Sequence, residues 1–170
     1  TELNVSSPSV DPVQPGRGMG KILPETIAAA GADAAIINHA ENRDTLTDIA
    51  EKISRCNSVG IESVVCVDSI EMGRGVTALD PDVLLYEKPE DISTDRAITQ
   101  THPERVDQFV DMVEEENPRT KVSVGGGIRT PEDVRLAFEL GADATGASSA
   151  ICTADDPYER LLAIGSAMPQ

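Results

Sequence analysis

The sequence is poor in aromatic side chains: among its 170 residues it has no tryptophan, two tyrosines and two phenylalanines. Hydrophobic residues still make up 39% of the chain, which is enough to build a core. We therefore expect that core to consist of valine, isoleucine, leucine and alanine. The length corresponds to about one domain, and no long linker rich in proline, glycine or serine divides the chain. We predict a single domain over residues 1–170.

Basic residues are scarce as well: 14 lysines and arginines face 30 aspartates and glutamates, which gives a net charge of −16. Such a surface repels nucleic acids and anionic membranes, so neither is predicted as a partner. The carboxylates are spread along the chain, which argues against a disordered acidic tail. Only four of the basic residues are lysines. This composition favours a halophilic protein, whose self-repulsion is screened by concentrated salt, over a merely acidic one.

Cysteine is too rare and too scattered to form a disulfide framework or a zinc site. The three cysteines, Cys56, Cys66 and Cys152, are odd in number and widely spaced, which is typical of a reducing cytoplasm. No apolar run approaches the roughly 20 residues of a membrane span, and no signal peptide is recognisable. We predict a cytoplasmic protein. Its first residue is Thr1 rather than methionine, which indicates a processed or trimmed start.

Short apolar runs alternate with stretches of helical periodicity. Strands are predicted over residues 3–7, 34–38, 62–69, 82–89, 121–127 and 143–150. Helices are predicted over residues 24–31, 45–56, 103–116, 130–141 and 156–168, with a further short helix around Met72 and Val76. Apolar strands separated by helices indicate a parallel sheet covered by those helices. The near repeat of "GADAAIIN" and "GADATGAS" fits either a βα-repeat barrel or a doubly wound sheet.

In both architectures functional groups gather where the strands end, because the loops converge there. The predicted strand ends carry Asn38 and His39, Asp68, Glu87, Gly125 to Gly127, and Ala147 to Ser149. A loop-capping role is the simpler interpretation of Asp68. The other groups are candidates for chemistry.

Two turns of small residues follow the last two predicted strands. In "VGGGIRTPED" three glycines let the backbone approach a ligand and expose amide groups to an anion. In "GASSAI" the hydroxyls of Ser148 and Ser149 lead into a helix start. Paired turns of this kind are typical of the phosphate site of many (β/α)8 barrels. Two tight structural turns are the alternative.

His39 and Glu87 are more informative together than apart. A single histidine after an apolar strand is often structural, and a single strand-end carboxylate commonly caps a helix. As a pair on one rim they can transfer a proton next to a carbonyl group, with the glutamate as base and the histidine polarising the oxygen.

These motifs resemble those of the triosephosphate isomerase family in its compact archaeal form. "NHAENR" (38–43) resembles the catalytic histidine motif, and "YEKPEDIST" (86–94) resembles the catalytic glutamate with its closing lid. "DPVQPGRGMGKILPE" (11–25) is similar to the loop and helix that precede the histidine strand. "GGGI" and "GASSA" fall where the family binds phosphate. The resemblance covers essentially the whole chain.

The resemblance implies interconversion of dihydroxyacetone phosphate and glyceraldehyde 3-phosphate, a step of glycolysis and gluconeogenesis, without a metal or an organic cofactor. Glu87 would be the base and His39 the neutral electrophile, oriented by Asn38 and Glu41. Substrate or phosphate binding is implied for Asn38, Gly125, Gly126, Ala147, Ser148, Ser149 and Ser93.

The sequence departs from the family at its start. Family members begin with a strand that carries an asparagine and an essential lysine, followed by a second βα unit, and Thr1 corresponds to a position near the third strand. We therefore predict a TIM-barrel-like parallel βα repeat truncated to about six units. Either another polypeptide completes it, or copies of the chain cover the gap as a homo-oligomer, or the chain is a fragment.

The lid departs too, with Ser93 and Asp95 where the family has glycines and Lys88 where it has proline. These differences leave a second hypothesis open, a catalytically impaired scaffold that at most binds phosphate. A third is another phosphate-binding barrel enzyme, because residues 124–143 also resemble prenyl-glyceryl-phosphate synthases.

Overall fold

A computed structural model describes residues 3–92, 94 and 96–169 and contains one six-stranded parallel sheet. Its strands are β1 (Ser6–Ser7), β2 (Ala34–Ile37), β3 (Glu62–Val67), β4 (Val83–Tyr86), β5 (Lys121–Val124) and β6 (Ala144–Thr145). Its helices are α1 (Pro24–Ala29), α2 (Leu46–Val59), α3 (Ile70–Thr77), α4 (Ile98–Thr101), α5 (Pro103–Glu116), α6 (Pro131–Glu139), α7 (Ser149–Cys152) and α8 (Pro157–Gly165). Each predicted strand and helix is confirmed, with shorter strands than predicted, and two short helices, α4 and α7, lie outside the predicted helical ranges. None of the helices in this part of the chain is long and apolar enough to cross a membrane.

The order of the strands distinguishes the two predicted architectures. Every strand lies beside its sequence neighbours, so the sheet runs from β1 to β6 without a reversal. A doubly wound sheet reverses its order at a switch point, whereas the βα units of a TIM barrel add strands consecutively. The prediction of a TIM-barrel-like βα repeat is therefore confirmed. The six described strands leave β1 and β6 as edges, where eight strands would close such a barrel.

Three aspartates connect neighbouring strands at the amino-terminal end of the sheet. Asp33, Asp82 and Asp143 immediately precede β2, β4 and β6. Their carboxylates accept hydrogen bonds from backbone N–H groups in the preceding strand or directly before it. The distances are 2.7 Å from Val5, just before β1, 2.9 Å from Ser63 in β3 and 2.9 Å from Val122 in β5. The near repeat in the sequence thus reflects a repeated strand-to-strand connection.

Asp82→Ala is expected to lower the free energy of unfolding by about 2 kcal/mol, because it leaves the Ser63 N–H without its acceptor. Burial acts to raise the pKa of Asp82, but hydrogen bonds from Ser63 and Arg119 outweigh it and hold that pKa below 3.8. The stabilisation is therefore present above pH 3.8 and is lost as the pH falls through the lower pKa of the folded state. Urea unfolding at pH 7 and in acid measures it. Asp107→Ala, an exposed position in α5, is the control, and an equal loss there would contradict the assignment.

Along each strand, side chains alternate between the hydrophobic core and the other side of the sheet. Leu84, Tyr86, Val122 and Val124 are buried beneath the helices. The ring of Tyr86 stacks on that of Phe109 in α5, with centroids 4.5 Å apart. Two of the four aromatic residues therefore join a core that is otherwise aliphatic, as predicted. The residues between them face the other side of the sheet, toward the barrel interior.

Candidate active site

A cavity of about 280 Å³ lies at the carboxyl ends of β2, β4, β5 and β6. It brings together most of the residues that the sequence predicted for the site: His39, Glu87, Gly125, Gly126, Ala147, Ser148 and Ser149. Asn38 and Glu41 are not among its lining residues. Ser93, and Asp95 with it, lie outside the described residues.

Glu87 reaches the cavity by simple strand alternation. Leu85 also lines the cavity, two residues earlier, while Tyr86 between them is buried in the core. The Glu87 N–H donates to the carbonyl of Val67 at 3.0 Å, which extends the β4 pairing by one residue. The same alternation places Ser123 and Gly125 of the neighbouring strand on the cavity side.

The carboxylate of Glu87 lies against the α-carbon of Gly125. A methyl group added to Gly125 would be 3.0 Å from the Glu87 carboxyl carbon and closer still to Oε1. Burial raises the pKa of Glu87 above its ordinary 4.5, and the nearby His39 opposes that rise only in part. The cavity thus contains a desolvated carboxylate of increased basicity.

Cys66 contributes to the apolar surroundings of the Glu87 carboxylate. It was not predicted for the site. Burial raises the pKa of its thiol to about 12, and the negative charge of Glu87 adds to the rise. A neutral thiol next to the carboxylate offers no charge that would stabilise the ionised form. The two-residue alternation backwards from Glu87 and Gly125 could have predicted Leu85 and Ser123 from the sequence, whereas Cys66 comes from the neighbouring strand β3.

His39 has a defined tautomer. The backbone N–H of Glu41 donates to Nδ1 of His39 at 3.3 Å. Since a backbone amide can only donate, Nδ1 is an acceptor and the imidazole proton of the neutral ring is on Nε2. The Glu41 carboxylate is 91% exposed and lies 3.8 Å from Nδ1. Glu41 therefore orients the ring mainly through its backbone.

Asn38 lies beneath the cavity, in the protein interior. Its side chain is 2% exposed, donates from Nδ2 to the Cys66 carbonyl at 2.7 Å and accepts at Oδ1 from the Asp44 N–H at 2.9 Å. These bonds occupy its amide, so the structure places Asn38 as a support of the turn that carries His39. Direct substrate binding by its side chain is not what this geometry offers.

The glycine turn after β5 contacts the segment that follows Glu87. Gly126 and Gly127 have left-handed backbones, with φ of 89° and 71°. A side chain on Gly127 would collide with the backbone of Arg96 and lie 2.8 Å from the Ala97 nitrogen. The Gly126 carbonyl accepts from the Ile98 N–H at 3.2 Å. Glycine is required here because backbone meets backbone.

The second small-residue turn, which follows the neighbouring strand β6, lines the same cavity as the first. Gly146, Ala147, Ser148 and Ser149 line it, and α7 begins at Ser149, so the helix start predicted from "GASSAI" is confirmed. Both turns expose small side chains and backbone to the same space. Together they can surround a compact anion.

No lysine or arginine is among the described residues that line the cavity. Two basic residues near it are paired with acids: Arg43 lies 2.7 Å from Asp68, and Lys88 lies 3.7 Å from Glu90. Asp68 therefore holds a loop arginine, in keeping with the structural interpretation. Among the described lining residues, the groups that can attract an anion are therefore backbone and hydroxyl dipoles.

Comparison with known proteins gives a consistent match along the chain. The sequence model of the family described as "Triosephosphate isomerase" matches residues 1–167. A triosephosphate isomerase of Methanopyrus kandleri is 37% identical over 161 residues, which are 95% of this chain and 71% of the relative. One of Methanobrevibacter smithii is 39% identical over 94% of this chain and 72% of the relative. One of Sulfolobus acidocaldarius is 41% identical over 92% of this chain and 68% of the relative.

Proposed function

Because the chain belongs to the triosephosphate isomerase family, we propose that it interconverts dihydroxyacetone phosphate and glyceraldehyde 3-phosphate. One observation carries the proposal: a half-buried carboxylate of raised pKa and an imidazole share a cavity with two small-residue turns. The site needs no metal or organic cofactor for this reaction, since it only moves protons, one between adjacent carbons and one between their oxygens.

Glu87 is the base. Its carboxylate removes a proton from the carbon next to the carbonyl of the ketose, which gives an enediolate and a protonated Glu87. The same group returns the proton to the neighbouring carbon, while the hydroxyl proton passes from the oxygen of the first carbon to the oxygen of the second. This gives the aldose and restores Glu87, so that atoms and charge balance over the cycle. The raised pKa supports this role, because it makes the carboxylate a stronger base.

His39 is the electrophile. With Nδ1 occupied by the Glu41 N–H, the Nε2–H of the neutral ring is the group that donates to the substrate oxygens. It stabilises the negative charge that develops on them as the enediolate forms. The family is itself the established example of a glutamate base combined with a neutral histidine.

The phosphate binds between the two turns. Gly126, Ser148 and Ser149 form its contacts, since glycine backbone and serine hydroxyls offer N–H and O–H donors without steric hindrance. Gly125 and Ala147 keep the space open because their side chains are small or absent. Ser93 completes the proposed phosphate contacts, and Asn38 acts through the loop that it supports.

A second candidate is a scaffold that binds phosphate without turnover. The observation that favours it is the lack of a lysine or arginine among the described lining residues, since the substrate carries a doubly charged phosphate. Such a scaffold would keep the phosphate contacts but would not catalyse isomerisation. Binding of inorganic phosphate without isomerisation would identify it.

The experiment that tests the proposal is isomerisation of glyceraldehyde 3-phosphate by the 170-residue chain in molar KCl. Because general base catalysis contributes about 10²–10⁴-fold, Glu87→Ala is expected to lower the rate by that factor. A coupled assay of both proteins measures it. Equal rates in the two would reject the enzyme, and calorimetry with inorganic phosphate would then examine the scaffold.

We also propose that residues 1–170 fold as one domain in the cytoplasm and that high salt stabilises it, given the net charge of −16. A homo-oligomer that covers the edges at β1 and β6 is part of the same proposal. Sedimentation in low and in molar salt tests the oligomer, and melting curves in the same two solutions test the stabilisation by salt. A monomer whose stability is independent of salt would contradict them.

A further inference from the structure

His39 reaches the cavity because the chain leaves β2 in an unusual way. Along β2, Ile36 lines the cavity while Ile37 is buried in the core on the other side. An uninterrupted strand would therefore direct residue 39 toward the core and away from the cavity. Asn38 breaks this alternation with a left-handed backbone, φ 60°. Such a conformation is disfavoured for a residue with a side chain, so its surroundings must hold it.

Asp44 bonds to both the backbone and the side chain of Asn38. The Asn38 N–H donates to Oδ2 of Asp44 at 2.9 Å, and the Asp44 N–H donates back to Oδ1 of Asn38 at 2.9 Å. These reciprocal bonds close the loop of residues 38–44. That loop contains both His39 and the Glu41 amide that fixes its tautomer.

Lys52 fixes the other oxygen of Asp44. Its Nζ lies 2.6 Å from Oδ1, and the two side chains are only 5% and 10% exposed. Lys52 belongs to the middle of α2, a fourteen-residue helix with a complete capping box at its start. A buried ion pair is weak evidence for stability, because desolvation offsets most of its attraction. The pair instead fixes the position of the loop that carries His39, because it connects this loop to a rigid helix.

We propose that the Asp44–Lys52 pair positions His39, by fixing the left-handed turn at Asn38 and with it the orientation and tautomer of the imidazole. Its catalytic consequence rests on the proposed isomerase function. The orientation of the ring does not, and it can be measured without turnover. Asp44 and Lys52 are positioning residues, since neither lines the cavity.

The double variant Asp44→Leu/Lys52→Met removes both charges and fills the space with apolar groups, so no unpaired charge remains buried. Its melting temperature is expected to fall while the fold is retained, because the Asn38 N–H loses its acceptor. The kcat is expected to fall about 10- to 100-fold, as for other small misplacements of a reacting group. KM should change much less, because the phosphate contacts are intact.

Nitrogen-15 shifts of the histidine rings provide the readout that is independent of activity. The chain has two histidines, His39 and His102, and the substitution His102→Asn assigns them. In the parent we expect a protonated Nε2 and a hydrogen-bonded Nδ1 for His39. In the double variant we expect shifts averaged between the two tautomers.

The matched control is Glu25→Gln/Arg55→Met, which removes another 2.6 Å ion pair, between α1 and α2, away from the loop of residues 38–44. It is expected to leave the shifts of His39 and the kcat unchanged. Displaced shifts in the folded Asp44→Leu/Lys52→Met variant support the inference, even if the parent shows no turnover, a result that would count against the isomerase alone. Parent-like shifts overturn it. Should the double variant not fold, Asp44→Glu is measured in its place, with displaced shifts supporting and parent-like shifts overturning the inference.

Discussion

Glu87→Gln is expected to remove isomerase activity and to make the folded chain more stable at neutral pH. Glutamine keeps the shape of the side chain but cannot accept the proton, so the rate should fall by about 10²–10⁴-fold. The stability gain arises because the parent must ionise a carboxyl that burial disfavours. Gains of this kind are about 0.5–2 kcal/mol, and each kcal/mol corresponds to about 2–4 °C in melting temperature for a chain of this size.

The pH dependence of that gain follows from the sign of the shift. The pKa of Glu87 is higher in the folded state than its ordinary 4.5, so the folded protein binds this proton more tightly. Below pH 4.5 the group is protonated in both states, and parent and variant should be equally stable. As the pH rises through the pKa of the folded state, the parent loses stability and the variant does not. The acid limb of the parent's kcat/KM should likewise lie above pH 4.5.

Melting curves of parent and variant between pH 4 and 8 measure this difference. Glu139→Gln, at a half-exposed position of α6, is the control and should show no such divergence. A variant that is less stable than the parent at neutral pH would mean that the carboxylate makes a favourable contact in the folded state. That outcome would contradict the assignment of Glu87 as a desolvated base.

The sequence predicted those parts of the site that depend on local rules. Glu87 and Gly125 follow their strands in the alternating pattern, so locating the strands was sufficient to locate these residues. The caps of α2 and α6 are equally local, since Thr45 and Thr130 each form a capping box within four residues. Such features can be derived from spacing alone.

Features that depend on distant partners could not be predicted. Asn38 was expected among the binding residues, but its amide is bonded to Cys66, 28 residues away. The helix α4 has β-branched residues that disfavour helix formation, and it exists because Ile98 and Thr99 are buried and the Ile98 N–H reaches Gly126. The predicted strand over residues 143–150 is divided between β6 and α7, because pairing with β5 stops at Thr145. The order of the strands could not be predicted either, because it depends on which strands lie side by side in space.

Gly125→Ala is expected to lower kcat by about 100-fold without altering either catalytic side chain, since misplacement by about 1 Å can have that effect. The backbone of Gly125 is not left-handed, so alanine fits its conformation. The added methyl group would occupy the space where the Glu87 carboxylate lies, 3.0 Å from the carboxyl carbon and closer to Oε1. The carboxylate must therefore move while the fold is retained. Steady-state kinetics and melting curves of the variant measure both effects.

Gly75→Ala is the matched control, because a methyl group there meets no atom within 4 Å and lies on α3, outside the site. We expect it to leave kcat unchanged and to raise stability slightly, as alanine favours a helix over glycine. A Gly125→Ala enzyme with the parent's kcat would show that the carboxylate does not work from its position over Gly125. The β4–β5 register places residue 125 beside Glu87, and the need for space there explains why this residue is a glycine. The same result would remove that explanation.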